Sequence, residues 1–361
     1  MTGKQRMTNM LKHQPLDRIP VYEHFWNDTQ KAWAQSGKID PDENMSRHFD
    51  FDMDECWAFK MVLDLDFVPE TISETEDTIT QKDGNGAILK RHKKHDTTPE
   101  HIGFTITEQA DWDLVKHLLT ADPRRIDFEA YRKAKQEAAA ENRFFCWSGI
   151  NVFEMMHPIC GHENMLAGMI LEPEWIQEMA QQLIDVTLEL QEILFQQEGY
   201  PDGIWYYEDM GFKNKPFMSP DAYRKLIFPC HKQSCDYAHS HNMPVIMHSC
   251  GYVEPLLPYM IEAGIDCLEV IEVKAGMDLL KLYQKYGKQI AFMGGIDVRV
   301  LYTNDKALID QELEEKIPVV KQGYGYALHS DHSIPKTVDY DTFVYFLKKA
   351  KELGTYTEAV Q

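Results

Sequence analysis

Hydrophobic and polar positions along this chain follow two rhythms. From residue 144 onward, short apolar runs alternate with longer stretches of helical period. The runs at 144–149, 203–209, 245–250, 265–271, 289–297 and 324–332 read as strands. The stretches between and after them, among them 173–198, 221–241, 305–321 and 339–353, read as helices. Two further strand candidates, 17–25 and 51–56, bring the number of strand–helix units to eight. Strict alternation of this kind calls for a parallel sheet, and eight units in 361 residues suit a closed (β/α)8 TIM barrel, α/β in class. The rival is an open, doubly wound sheet, but no glycine-rich phosphate fingerprint follows the first strand. A single domain spanning 1–361 is expected.

The N-terminal third departs from this rhythm. Residues 4–13 and 28–36 read as short helices. Near 66–95 two alternating arms flank Asp83, Gly84, Asn85 and Gly86, the pattern of an antiparallel hairpin insertion. His92 and His95 stand among lysines there and read as exposed, and 99–142 reads as polar helix.

Composition narrows the function. The chain is 43% hydrophobic and 26% charged, as in an ordinary globular protein. A formal net charge of −21 argues against nucleic acid or an anionic membrane as partner. Seven unevenly spaced cysteines do not make a disulfide framework, which points to a reducing, cytoplasmic setting. The N-terminus has no apolar core of signal-peptide length, and no run is long enough to span a bilayer.

The chemistry-bearing residues gather at the ends of the expected strands, where a barrel of this kind carries its reactive groups. His248 and Cys250, two apart on one strand, would project together as an imidazole and a thiolate, two natural zinc ligands, with Gly251 turning the chain after them. His332, closing the last strand before Pro335, is the expected third ligand, and Glu272 could fill a fourth, exchangeable position. Glu208 and Asp209 end another strand and are the candidate catalytic carboxylates. Trp147, Tyr206, Tyr207, His24 and Asp297 are the expected substrate-binding residues, although strand parity lets only one of the two tyrosines face inward.

Several of these segments together resemble the uroporphyrinogen decarboxylase superfamily, and more closely its branch of corrinoid-dependent methyltransferases. The markers are Asp17, Arg18, Ile19, Pro20 and Val21; Ser219, Pro220 and Asp221 with Pro229; His248, Ser249, Cys250 and Gly251; Gly294, Gly295, Ile296 and Asp297; and His332 with Pro335. The resemblance implies a (β/α)8 barrel and methyl transfer between a small methyl ether, amine or thiol and the cobalamin of a separate corrinoid protein, with zinc as activator; a homodimer is common in the superfamily. In that branch zinc is held by a His-x-Cys pair and a later cysteine, whose place His332 takes here, while Glu272 matches the acid of the open position. The decarboxylases themselves carry an arginine-rich segment after the first strand. Residues 23–28 contain no arginine, so an acidic tetrapyrrole would lack its clamps. The alternative function is a metal-free lyase that decarboxylates a tetrapyrrole or a smaller acid.

Overall fold

The computed structural model describes residues 1–94 and 99–356. His95 lies outside the described residues, and His92 is partly buried and accepts the Lys94 amide at 3.0 Å. Seven parallel strands, β1 (Met53–Trp57), β2 (Phe144–Ile150), β3 (Gly203–Tyr207), β4 (Val245–Ser249), β5 (Cys267–Val270), β6 (Ala291–Gly294) and β7 (Tyr326–Ala327), pair in chain order into one curled sheet. Helices connect them on the outside. The longest, Pro173–Glu198, starts on a proline in its first turn, where a missing N–H is harmless, and buries Trp175, Met179, Leu183, Leu190 and Leu194. Trp205 of β3 and Tyr22 fill the sheet's concave side, their rings 5.5 Å apart. All seven cysteines are free. No helix of the described residues is long and apolar enough to cross a membrane.

The expected first strand at 17–25 forms no regular ladder. It spans the gap between the sheet's two edges through single parallel bridges, Val21 to Leu328 and Phe25 to Ile334, while the Asp52 amide donates to the Val21 carbonyl at 2.9 Å. Pro20 has no N–H to give a ladder. The Val21 N–H is taken by the Asp52 side chain at 2.7 Å. Asp52 is buried and also binds the Arg18 and Arg6 guanidiniums, which tie the N-terminal helix Gly3–Leu11 to this seam. Asp52→Asn removes the charge from this buried cluster and is expected to lower the unfolding free energy by about 3 kcal/mol, read from the urea midpoint.

Two N-terminal expectations change. The 66–95 segment is not one hairpin, because its first arm breaks at Thr75–Thr78 into two strands. With Glu100–Phe104, the strands Glu70–Glu74, Thr78–Lys82 and Ala87–His92 form a four-stranded antiparallel sheet. Part of the stretch read as helix is therefore strand. Helix returns at Gln109–Val115 and Phe128–Ala140, the latter capped by the Asp127 side chain on the Ala130 amide.

Candidate functional site

The C-terminal ends of the parallel strands open into a cavity of about 330 Å³ lined by, among others, Glu55, Tyr207, His248, Cys250, Glu269 and His329. Alternation along each strand decides which side chains reach it. In β3 the parity turns Tyr207 inward and Tyr206 outward, where Tyr206 bonds Gln191 of the long helix. In β4, His248 points in and Ser249 points out, its hydroxyl accepting the Met210 amide. The chain then turns at Gly251, which has φ +81° and lies against Gly211 so closely that a Cβ would sit 2.1 Å from the Gly211 carbonyl carbon. Only glycine fits that approach.

His248, Cys250 and Asp209 form one cluster. The Cys250 thiol and an Asp209 carboxylate oxygen each lie 3.3 Å from His248 Nε2, and the same Asp209 oxygen accepts the Cys250 amide at 2.7 Å. A ligand atom from each of the three lies within 4.8 Å of the others. On the other edge of the ring, His248 Nδ1 is 2.5 Å from Glu269, its register partner across β4 and β5. Burial opposes charge on His248, yet Glu269, Cys250 and Asp209 outweigh it and hold its pKa well above the usual value. Burial pushes the Cys250 thiol up to about 11, against the pull of His248. Burial raises Asp209 as well, but the His248 contact prevails and lowers it.

A second group continues from Glu269. Its other oxygen, Oε1, has no hydrogen-bond partner among the described residues and lies 3.5 Å from His329 Nδ1. His329 Nε2 is 3.0 Å from His24 Nδ1, and His24 Nε2 is 2.9 Å from Glu55. The Tyr207 hydroxyl donates to the other Glu55 oxygen at 3.0 Å. Burial, countered by the His24 hydrogen bond, leaves Glu55 below the usual carboxylate range. Fully buried Glu23 takes the Ser330 amide and hydroxyl, and burial pushes its pKa well up.

Burial also pushes His329 down to about 4. An unfolded histidine titrates near 6.5, so between about pH 6.5 and 4 the unfolded chain binds a proton that the folded chain refuses. The contribution of His329 to stability is therefore complete above about pH 6.5 and is lost as the pH falls toward 4. A drop on the order of 3 kcal/mol is expected across that window. Urea unfolding at stepped pH checks this, and His329→Gln should flatten the slope.

The structure separates the expected site residues. His248, Cys250, Asp209, Tyr207 and His24 come together as described. His332 lines the same cavity but joins neither cluster; its ring stacks on Trp26 at 5.9 Å. The chain has left the sheet by then, so strand parity no longer aims that side chain inward. Glu272 joins neither donor cluster: one oxygen accepts the Gly251 amide at 2.6 Å and the other pairs with Lys274. Glu208 is fully buried behind the strand. It accepts the Phe153 and Glu154 amides at the start of the helix Val152–Cys160 and lies 2.7 Å from His231. It is a helix anchor, as its outward parity requires. Trp147 is likewise outward, packed between Phe59 and Tyr206. Asp297 caps the helix Val298–Tyr302 and pairs with Arg299, outside the cavity. Glu269, Glu55, Glu23 and His329 are the residues that the strand-end reading missed. The signal for Glu269 was a glutamate inside the apolar run Cys267–Val270.

Comparison with known proteins agrees with this architecture. A family model described as uroporphyrinogen decarboxylase (URO-D) matches residues 105–353. The methylated-thiol–coenzyme M methyltransferase of Methanosarcina mazei is 26% identical over 152 residues, which are 42% of this chain and 38% of that protein, so the match spans well under half of the relative's length. A solved methyltransferase structure from Methanosarcina mazei superposes with a TM-score of 0.69 over 98% of both chains at 16% identity, a likeness of fold. With 249 of its residues inside the matched region, the chain belongs to the uroporphyrinogen decarboxylase (URO-D) family.

Proposed function

We propose that this protein is a methyltransferase that moves a methyl group between a small substrate and the cobalamin of a separate corrinoid protein, in the cytoplasm. Its scaffold is a (β/α)8 barrel in which residues 20–25 act as the eighth stave. The observation that carries the reading is the convergence of an imidazole, a thiol and a carboxylate, all within 4.8 Å of one another, at one cavity wall. This donor set fits a divalent zinc ion, and His248 Nε2, Cys250 Sγ and an Asp209 oxygen would hold it. When bound, zinc supplies Lewis-acid polarisation of the substrate heteroatom.

The remaining work falls to the chain. Glu269 fixes the tautomer and orientation of His248 from behind, as a carboxylate behind a ligating histidine does. Its negative charge also makes the imidazole a better donor. The Tyr207 ring packs 4.9 Å from that of His248 and walls the cavity beside the donors. The open mouth leaves room for the partner's corrinoid face. No arginine or lysine lines the cavity among the described residues, so decarboxylation of a polyacidic tetrapyrrole gains no support.

The test pairs metal analysis with a cobalt assay. The purified protein should carry one zinc per chain and convert cob(I)alamin to methylcobalamin, or the reverse, with one member of a panel of methyl ethers, amines and thiols. Visible absorbance follows the cobalt. A metal-free protein that decarboxylates an acid of the panel, with no change at cobalt, would replace this reading with the lyase.

A further inference from the structure

The cavity wall around Trp57 has a composition that methyl transfer alone does not require. Two indoles line it and stay partly open to water, Trp57 at 47% and Trp26 at 39% exposure, the Trp26 ring also stacking on His332. Large aromatic surface left open to water at a cavity is a binding feature rather than a packing one. The Trp57 ring lies 4.6 Å from that of Tyr207, and its Nε1 donates to Glu55 at 3.2 Å. Glu55 thereby accepts from Trp57 and Tyr207 and also contacts His24, so a carboxylate stands fixed at the edge of two rings.

From this wall we infer that the substrate carries a small organic cation, an ammonium head, held against Trp57 and Tyr207 with Glu55 as its counter-charge. Aromatic faces attract such cations through their quadrupole, and a nearby carboxylate adds a Coulombic pull. A neutral ether or thiol would draw on the rings but not on Glu55, and an anion would be repelled by it. The ammonium head is distinct from the atom that bears the methyl group. The Tyr207 ring touches both the Trp57 ring and the His248 ring, so a short substrate places its head at one and its reacting heteroatom at the other. The inference rests on the methyl-transfer reading for its biological meaning, but the subsite can be tested without turnover.

Isothermal calorimetry on the purified protein would compare choline with its neutral isostere 3,3-dimethylbutanol and with anisole. Choline is expected to bind about tenfold more tightly than the isostere. Trp57→Leu should erase that preference, and Trp57→Phe should keep most of it. Because Trp57 is half-exposed, folding should survive both changes, which circular dichroism checks. Equal affinity for choline and the isostere, no choline binding, or tighter binding of anisole would overturn the subsite. Methyl transfer from a neutral ether together with any of those results removes the substrate class alone. Selective choline binding by a protein that never alkylates cobalt keeps the subsite and removes the methyl-transfer reading.

Discussion

On the proposed zinc-dependent methyl transfer, Cys250→Ala is expected to abolish zinc binding and to slow the transfer by about 10³-fold, the loss of several kcal/mol of metal-derived stabilisation. Cys250 supplies the cluster's only sulfur, and its thiol lies 3.3 Å from His248 Nε2. At neutral pH a thiol held near 11 is protonated, so a divalent cation must displace that proton to bind. Metal affinity should therefore rise with pH, and a pH titration of zinc binding would give the slope. In the alanine variant only an imidazole and one carboxylate remain, too few for a tight site. Fold stability should change little, because the residue sits at the rim, turned toward the cavity. Mass-spectrometric metal analysis and the visible spectrum of the cobalt are the two readouts. Zinc retained in the variant at one per chain would remove Cys250 from the ligand set.

The second large effect is expected at Glu269. This carboxylate is fully buried, with one oxygen 2.5 Å from His248 and the other aimed at His329. Burial alone would raise its pKa, but His248 and His329 together hold it below the usual range. Glu269→Ala leaves a raised-pKa imidazole with its main counter-charge gone and a void behind it, and should cost about 4 kcal/mol of stability. Glu269→Gln keeps the shape and an acceptor for Nδ1–H but loses the charge. It should fold nearly normally and bind zinc about 10- to 100-fold more weakly. Chemical denaturation separates the first effect, and competition with a chromophoric chelator measures the second. A glutamine variant with unchanged zinc affinity would show that Glu269 only fills space.

Much of this site could be read from strand parity. His248 and Cys250 are two apart at a strand end, and that spacing alone predicts a shared direction. The same rule sorts neighbouring pairs that composition cannot. Tyr207 faces the cavity and Tyr206 the helix layer, while Asp209 reaches the cluster and Glu208 anchors a helix behind it. The rule fails where the strand stops. β7 has ended at Ala327 when the chain delivers its two histidines, so nothing local predicts that His329 turns inward while His332 stacks on Trp26 at the rim. Glu269 was hidden for another reason. Its partner is fixed by register between β4 and β5, a relation between segments that neither segment carries alone. The alternation of 144 onward did specify the parallel sheet. The 17–25 segment reads as an ordinary strand although it forms only isolated bridges, because a proline and a side chain competing for one N–H do not disturb the apolar pattern that marks a strand.

The meeting of His24 with His329 has a consequence for how the molecule comes into being. These rings touch across 305 positions of chain, one from between the two bridges of the seam and one from just beyond the last strand. A growing polypeptide holds His24, Glu55, Tyr207 and the thiol-bearing strand end before His329 is made. Contacts so remote in order are the slowest to form. A nascent chain halted before residue 329 would thus carry His248, Cys250 and Asp209 while the ring that meets His24 and faces Glu269 is still missing.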